Sequence, residues 1–255
     1  MTNMPIRPDQ TSVSATQGSG HMFDGIAHRY DLLNRLISLG LDGMWRKKTV
    51  LSLELAANHR VLDLATGTAD LAILVARQET TAQVVGLDPS CKMLAFGRSK
   101  IEHCGLTHRV SLVQGDAQSL AFADHTFDRV CMSFGIRNVP NRIQALQEIA
   151  RVTKPDGKVA ILELAEPRGG VLSWLARLHV HHLVPRIGGL LSGSTEYRYL
   201  QRSIAAFPSA IQFAAQMSDC GLVVHRIEPL TFGVATLYVA SNQNTTGTTA
   251  ACARS

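Results

Sequence analysis

No Cys-x-x-Cys pair occurs in the 255 residues, and the five cysteines (Cys91, Cys104, Cys131, Cys220, Cys252) are widely spaced and odd in number. That pattern excludes a disulfide framework and fits free thiols in a reducing, cytoplasmic compartment. A secretory signal is missing as well, because residues 1–20 are polar and contain no apolar core. The net charge of +5 comes from scattered Lys and Arg without a basic stripe. This excludes a nucleic-acid binder and leaves only loose attraction to anionic lipid. There is no internal repeat. Nor is there a Gly-x-Gly-x-x-Gly loop, so the backbone cradle that a dinucleotide pyrophosphate needs is absent and a nicotinamide-dependent dehydrogenase is remote.

What is present is concentrated between Val61 and Asp88. VLDLATGTAD is a short apolar run ending in an acid, followed by a small-residue loop and a helix-like pattern; VVGLDPS is a second apolar run ending in Asp88. Strand, tight loop, helix and a second strand closing on a carboxylate make one βαβ unit of a nucleotide-binding α/β domain. An acid about 20 residues past the loop can accept hydrogen bonds from both hydroxyls of a ribose. A nucleoside without phosphates therefore fits, and S-adenosylmethionine is the common one.

The chain has ordinary globular composition, 45% hydrophobic and 18% charged, and is long enough for one α/β domain with an insertion. Residues 1–20 and 241–255 read as disordered ends around a single domain over 21–240. GSGHM at 18–22 resembles a cloning scar, with Met22 equally a native residue opening the folded part. Short, nearly continuous apolar runs predict strands at 60–64, 83–88, 110–114, 127–133, 157–163, 223–230 and 233–240. Helices are predicted at 70–77, 92–104 and 143–152, and KPDGK at 154–158 reads as a turn. The last two strands are joined by so few residues that they must form an antiparallel hairpin. The fold class is thus α/β, a Rossmann-like and mostly parallel seven-stranded sheet ending in that hairpin, the layout of class I methyltransferases. Two segments stand outside the alternation: a helical cap at 23–55 and a lid insertion at 168–207. Within the latter, 171–191 is apolar over about the length of a membrane span. Arg177, Arg186, Pro185 and three histidines argue instead for a helix roofing a prenyl channel or resting on a membrane surface.

FDGIAHRYDLLNRLISLGLDGMWRK, VLDLATGTADLA, QGDAQSLAFADHTFD, MSFGIRNV, ARVTKPDGKVAILELAEP, LVPRIGGLLSGSTEYRYLQRSIAAFP and LTFGVATLYVA follow one another along the chain. In content and order they resemble the menaquinone and ubiquinone ring C-methyltransferases, from Met22 to about Ala240. The GD-A and KPDGK elements are generic; SFGIRN, the YD-LN/WR signature and the EYRYL/FP segment are specific in combination. One departure is Ala69, where the family loop usually carries glycine. Alanine there crowds the cofactor and resists a positive φ.

The resemblance implies a methyl donor, S-adenosyl-L-methionine, and a polyprenyl quinol acceptor, with no metal and no nucleic acid. It implies Thr68 and the backbone of Gly67 on the methionine part, Asp88 on the ribose, Asp116 and Ala117 at the adenine, and Ser133 beneath the sulfonium. Asp63 orients the loop or the cofactor amine. Methylation of a ring carbon needs a phenolate, and an unshifted phenol has a pKa of about 10, so a cation or donor must favour the ionised form. Arg137 is the first choice, with Asn138 positioning a ring oxygen. Tyr30, His28, Asp70 and a water held by Arg137 are candidate bases. Tyr30 lies one helical turn from Asn34, which fits packing equally well. The His179, His181 and His182 cluster lacks a zinc spacing and any cysteine or acid partner. The leading reading is C-methylation of a demethylmenaquinol, acting in the cytoplasm or peripherally at the inner membrane face, with a homodimer admitted. Alternatives are the 2-methoxy-6-polyprenyl benzoquinol of ubiquinone synthesis, or a non-catalytic subunit of a quinone-making assembly.

Overall fold

Seven strands form one sheet in the order β3-β2-β1-β4-β5-β7-β6 in the computed structural model, which describes residues 35, 38, 40–165 and 194–243. The strands are β1 (Arg60–Leu64), β2 (Gln83–Asp88), β3 (Val110–Gln114), β4 (Phe127–Ser133), β5 (Thr153–Leu164), β6 (Leu222–Leu230) and β7 (Ala235–Asn242). β1 to β5 run parallel, and β7 pairs antiparallel with both β5 and β6. This is the expected class I arrangement with its terminal hairpin.

The helices are α1 (Asp42–Ser52), α2 (Asp70–Gln78), α3 (Cys91–His103), α4 (Arg142–Val152), α5 (Ser194–Ala205) and α6 (Ala210–Asp219). Side chains alternate across the sheet with the period of two that a strand dictates. Val61, Cys131, Ala160, Leu162 and Val239 join a core with Trp45 and Val50 of α1, Leu71 and Val75 of α2 and Ile101 of α3. Leu62, Val130, Met132, Ile161 and Tyr238 join the opposite core with Leu146 and Ile149 of α4 and Phe213 and Met217 of α6. Both faces of the central strands are therefore covered, which is why Val61–Leu62, Val84–Leu87, Val130–Met132 and Val159–Leu162 are unbroken apolar runs.

Three sequence-based boundaries need correction. KPDGK lies inside β5: the β4 partner moves from Thr153 to Lys158 between Phe127 and Arg129, so the extra residues form a bulge, with Asp156 at φ 59. β7 continues to Asn242, past the expected start of the tail at 241, because the Asn242 amide donates to Ala150 O (2.9 Å) and Thr153 O (2.6 Å) from a buried position. Helix α6 went unnamed in the sequence reading, although Ser209 and Gln212 form a capping box at its start. Of the cap at 23–55, α1 is described. It is fastened to the sheet by Arg129, whose Nε and Nη2 donate to Leu53 O (2.5 Å) and Glu54 O (3.1 Å). Trp45 Nε1 also donates to Thr231 Oγ1 (2.9 Å) in the β6–β7 connection. Of the insertion at 168–207, only α5 and the residues after it fall within the description.

Candidate active site

The chain leaves β1 in opposite directions to its two sheet neighbours, so a crevice opens at the carboxyl ends of β1 and β4, the place where open α/β sheets bind ligands. Asp63, at the end of β1, is buried and accepts a hydrogen bond from Thr66 Oγ1 (2.6 Å). Burial pushes its carboxyl up to about 7, against the opposing pull of the Thr66 hydroxyl and the Arg46 charge. The loop that follows turns through left-handed backbone at Ala65 (φ 49), Gly67 (φ 56) and Ala69 (φ 67). Ala69 thus adopts the conformation that the missing glycine would have taken without strain.

Asp88 at the end of β2 fixes this loop. Its Oδ2 accepts from the Gly67 N–H and its Oδ1 from the Ser90 N–H, both at 2.9 Å. Lys100 of α3 reaches in from the far side, donating to Thr68 Oγ1 (2.9 Å) and Asp70 Oδ1 (2.7 Å). Asp70, one of the candidate bases, is therefore ion-paired. Asp116 follows β3, and the Asp88 carbonyl accepts from the intervening Gly115 N–H (3.2 Å). Its carboxylate is gripped by Gln118, whose N–H and Nε2 donate at 2.9–3.0 Å, and Ala117 beside it is buried.

Ser133 ends β4 with its Oγ buried and without a hydrogen-bond partner among the described residues. Phe134 then takes φ 59, and a Cβ at Gly135 would lie 2.5 Å from the Ala65 Cβ, so this turn presses directly on the loop between β1 and α2. Arg137 and Asn138 sit in the short 3-10 turn Ile136–Asn138. The Arg137 guanidinium is half of a buried ion pair. Its Nη1 donates to Glu163 Oε1 (2.5 Å) and to Phe134 O (2.7 Å), while its backbone N–H donates to Glu163 Oε2 (3.1 Å). Glu163, at the end of β5, is fully buried and also accepts from the Leu164 N–H (2.8 Å). The charge that sequence reasoning reserved for a phenolate is thus already balanced. Asn138 Nδ2 donates to Phe134 O (3.3 Å), and its Oδ1 accepts from Tyr199 OH of α5 (3.2 Å).

The structure therefore gathers Asp63, Gly67, Thr68, Ser133, Arg137 and Asn138 around one crevice, with Asp88, Asp116 and Ala117 along its β2–β3 side. Tyr30, His28, Asn34 and the three histidines lie outside the described residues. Three polar side chains at this end of the sheet were missed: Glu163, Arg46 and Tyr199. Glu163 carried the same signal as Asp63 and Asp88, an acid closing an apolar strand.

Residues 11–242 match the sequence model of the ubiE/COQ5 methyltransferase family. The chain belongs to that family. It is 44% identical over 222 residues to the ubiquinone/menaquinone biosynthesis C-methyltransferase UbiE of Syntrophotalea carbinolica, covering 87% of this chain and 93% of that protein. It is also 44% identical to the demethylmenaquinone methyltransferase of Thermus thermophilus, covering 86% and 98%. Among solved structures, a SAM-dependent methyltransferase from Aquifex aeolicus superposes with a TM-score of 0.58 at 17% identity, over 77% of this chain and 89% of that one. That likeness speaks for the fold alone. As a family member, the chain is an S-adenosylmethionine-dependent C-methyltransferase of quinone biosynthesis. The crevice suits this cofactor: an acid ends β2, no pyrophosphate cradle is present, and three buried polar atoms at the crevice, Ser133 Oγ, Arg46 Nε and Arg137 Nε, lack hydrogen-bond partners among the described residues.

Proposed function

We propose that the chain methylates a ring carbon of a polyprenyl demethylmenaquinol to give menaquinol. The observation that carries this reading is the 44% identity over nearly the whole length of a demethylmenaquinone methyltransferase. The benzoquinol of ubiquinone synthesis is the second reading, favoured by a relative at equal identity whose name covers both quinones.

In this proposal the cofactor supplies a methyl group already activated by its sulfonium. Asp88 holds the ribose, Asp116 and Ala117 flank the adenine, and the loop around Gly67 and Thr68 takes the methionine part over Ser133. The quinol ring stands beneath the Arg137–Asn138 turn and Tyr199. A hydroxyl must lose its proton before charge reaches the adjacent carbon. Because Glu163 balances Arg137, the guanidinium acts here as a rigid donor at a fixed place rather than as a free cation, and Asn138, braced by Tyr199, orients a ring oxygen. Such positioning can lower a barrier by several kcal/mol. The base is one of Tyr30, His28, Asp70 or a water held by Arg137. In this reading the segments 23–55 and 168–207 serve as the substrate lid, and the enzyme is cytoplasmic or peripheral at the inner membrane face. Among the described residues, no helix is long and apolar enough to cross a membrane.

Single-turnover methyl transfer from labelled S-adenosylmethionine tests the proposal, offering a demethylnaphthoquinol and a benzoquinol separately under reducing conditions. Product from the naphthoquinol alone supports it. Product from both means a bifunctional enzyme, and product from the benzoquinol alone overturns it.

A further inference from the structure

Beyond Glu163 the end of β5 borders a cavity of about 160 Å³. Ala165, two residues past Glu163, stands on one side of it, and the elbow between α5 and α6 and the β6–β7 connection close the others. Ile204, Phe207, Pro208, Ala210 and Pro229 make the wall apolar, and no charged residue among the described ones lines it. Its polar side chains are two hydroxyls, and one of them, Ser209 Oγ, already donates to Gln212 Oε1 (2.7 Å). Such a lining offers nothing to an ion, a sugar or a phosphate. An apolar cavity of about 150 Å³ is room enough for the six carbons of benzene. This one therefore matches a branched unit of five carbons.

Two features give the shape of the ligand. The first is the link to the crevice. Helix α5 crosses the carboxyl end of the sheet, with Leu200 and Ile204 against one core and Phe207, just past its end, in the other. Tyr199 on the same helix donates to Asn138 in the crevice. From Tyr199 to Ile204 is about 7.5 Å of helix, so a ring held beside Asn138 can reach the cavity through a short apolar substituent. The second feature is the rim. Ala210 and Gly233 line the cavity, and their chain neighbours Ile211 and Phe232 are 79% and 57% exposed. Phe232 takes φ 57, a conformation that bulky residues rarely adopt. Large apolar side chains turned outward beside an apolar cavity suit a chain that continues past the protein surface.

We propose that this cavity takes the first isoprene unit of the acceptor's side chain and directs the rest outward past Phe232 and Ile211. The inference rests on a prenylated quinol being the acceptor. It makes Ile204, Phe207 and Ala210 determinants of side-chain recognition, set apart from Arg137 and Asn138, which serve the ring.

Steady-state methyl transfer to three acceptors with the same quinol ring tests this: one without a side chain, one with a single isoprene unit and one with two. Each buried methylene is worth about fourfold in affinity, so burying two or more of the five carbons should lower the wild-type KM about tenfold or more from the first acceptor to the second. The second unit should add less than the first, because it leaves the cavity. Ala210→Phe fills the cavity and is expected to raise KM for the prenylated acceptors about tenfold, with KM for the bare ring changed less than about twofold and kcat preserved. Should Ala210→Phe fail to fold, Ile204→Ala removes part of the wall and is expected to raise the same KM severalfold, again sparing the bare ring. Equal KM for the three acceptors in wild type would overturn the proposal. Equal losses on bare and prenylated rings in the variants would overturn it too, by making the cavity a packing gap felt by the whole fold. Methyl transfer to none of the three would instead sink the quinol reading, and the proposal with it.

Discussion

Replacing Glu163 by glutamine removes the only negative charge paired with Arg137 among the described residues, in a place where neither side chain meets much solvent (0% and 8% exposed). Three hydrogen bonds converge on this carboxylate, from Arg137 Nη1, Arg137 N and Leu164 N. A glutamine can keep one oxygen as an acceptor, but its amide then points N–H groups at a donor. Breaking a buried pair from one side costs about 3–5 kcal/mol, because it leaves the partner charge uncompensated. Against a typical stability of about 5–15 kcal/mol the variant stays folded at room temperature, and at roughly 2–4 °C per kcal/mol its Tm falls by about 6–20 °C. Urea unfolding of Glu163→Gln, Arg137→Met and the double variant measures the coupling. The double variant should lose less than the two single losses added together, by on the order of 2 kcal/mol. Methyl transfer gives the second readout. If the pair acts by holding Arg137 in place, Glu163→Gln lowers kcat while cofactor affinity stays the same. Single losses below about 1 kcal/mol that simply add would refute the buried pair. A rise in kcat would show that Arg137 works as a free cation after all.

Asp63, with its folded pKa near 7 against 3.8 for the unreacted side chain, binds more protons folded than unfolded across that window, so its contribution to stability falls as pH rises from about 4 to 7. Wild type should lose up to about 4 kcal/mol relative to Asp63→Asn over that range, and parallel pH–stability curves from urea unfolding would contradict this. Ala69→Gly removes left-handed strain worth roughly 1–2 kcal/mol but adds about 0.5–1 kcal/mol of backbone entropy cost. The net stability gain should lie between about 0 and 1.5 kcal/mol with cofactor affinity unchanged or improved, so a clear loss of affinity by calorimetry would count against the geometry given for this loop. Tyr199→Phe deletes the hydroxyl that donates to Asn138. Steady-state kinetics should show a raised KM for the quinol with cofactor affinity untouched; a fall in cofactor affinity would contradict the assignment of Asn138 to the acceptor.

The sheet was legible because each buried strand is a short apolar run, and β1 to β4 begin and end where those runs do. β5 and β7 outgrew their predicted bounds for tertiary reasons. The KPDG bulge is kept in the ladder by pairing at both ends, and Asn242 extends β7 only because two distant carbonyls need its amide. The acids of the site were readable for the same reason as the strands, since acids at strand ends stand at fixed places in the sequence. The pairing of the arginines was not. Arg137 looked like a free cation in SFGIRN because its partner, Glu163, lies 26 residues on and meets it only when β4 and β5 pair. Arg46 went unnoticed for a related reason: the i, i+4 spacing from Asp42 suggests an ordinary helix-surface ion pair, and only the burial against Phe134 shows otherwise.

The two arginines make a contrast that bears on how the crevice works. Arg137 has its acid at hydrogen-bond distance and its position settled before any ligand arrives. Arg46 has its acid at 3.6 Å and is held mainly by stacking on the Phe134 ring. The same division applies to the carboxyls: Glu163 is saturated with donors, whereas burial drives Asp63 toward its neutral form. Complete pairing fixes Arg137 and Glu163 before any ligand arrives, so their orientation costs nothing at the moment of binding. Because an arriving ammonium favours the ionised Asp63, cofactor binding below about pH 7 should release a proton from this carboxyl. Titrations in buffers of different ionisation enthalpy would reveal that release, and its persistence in Asp63→Asn would assign it to another group.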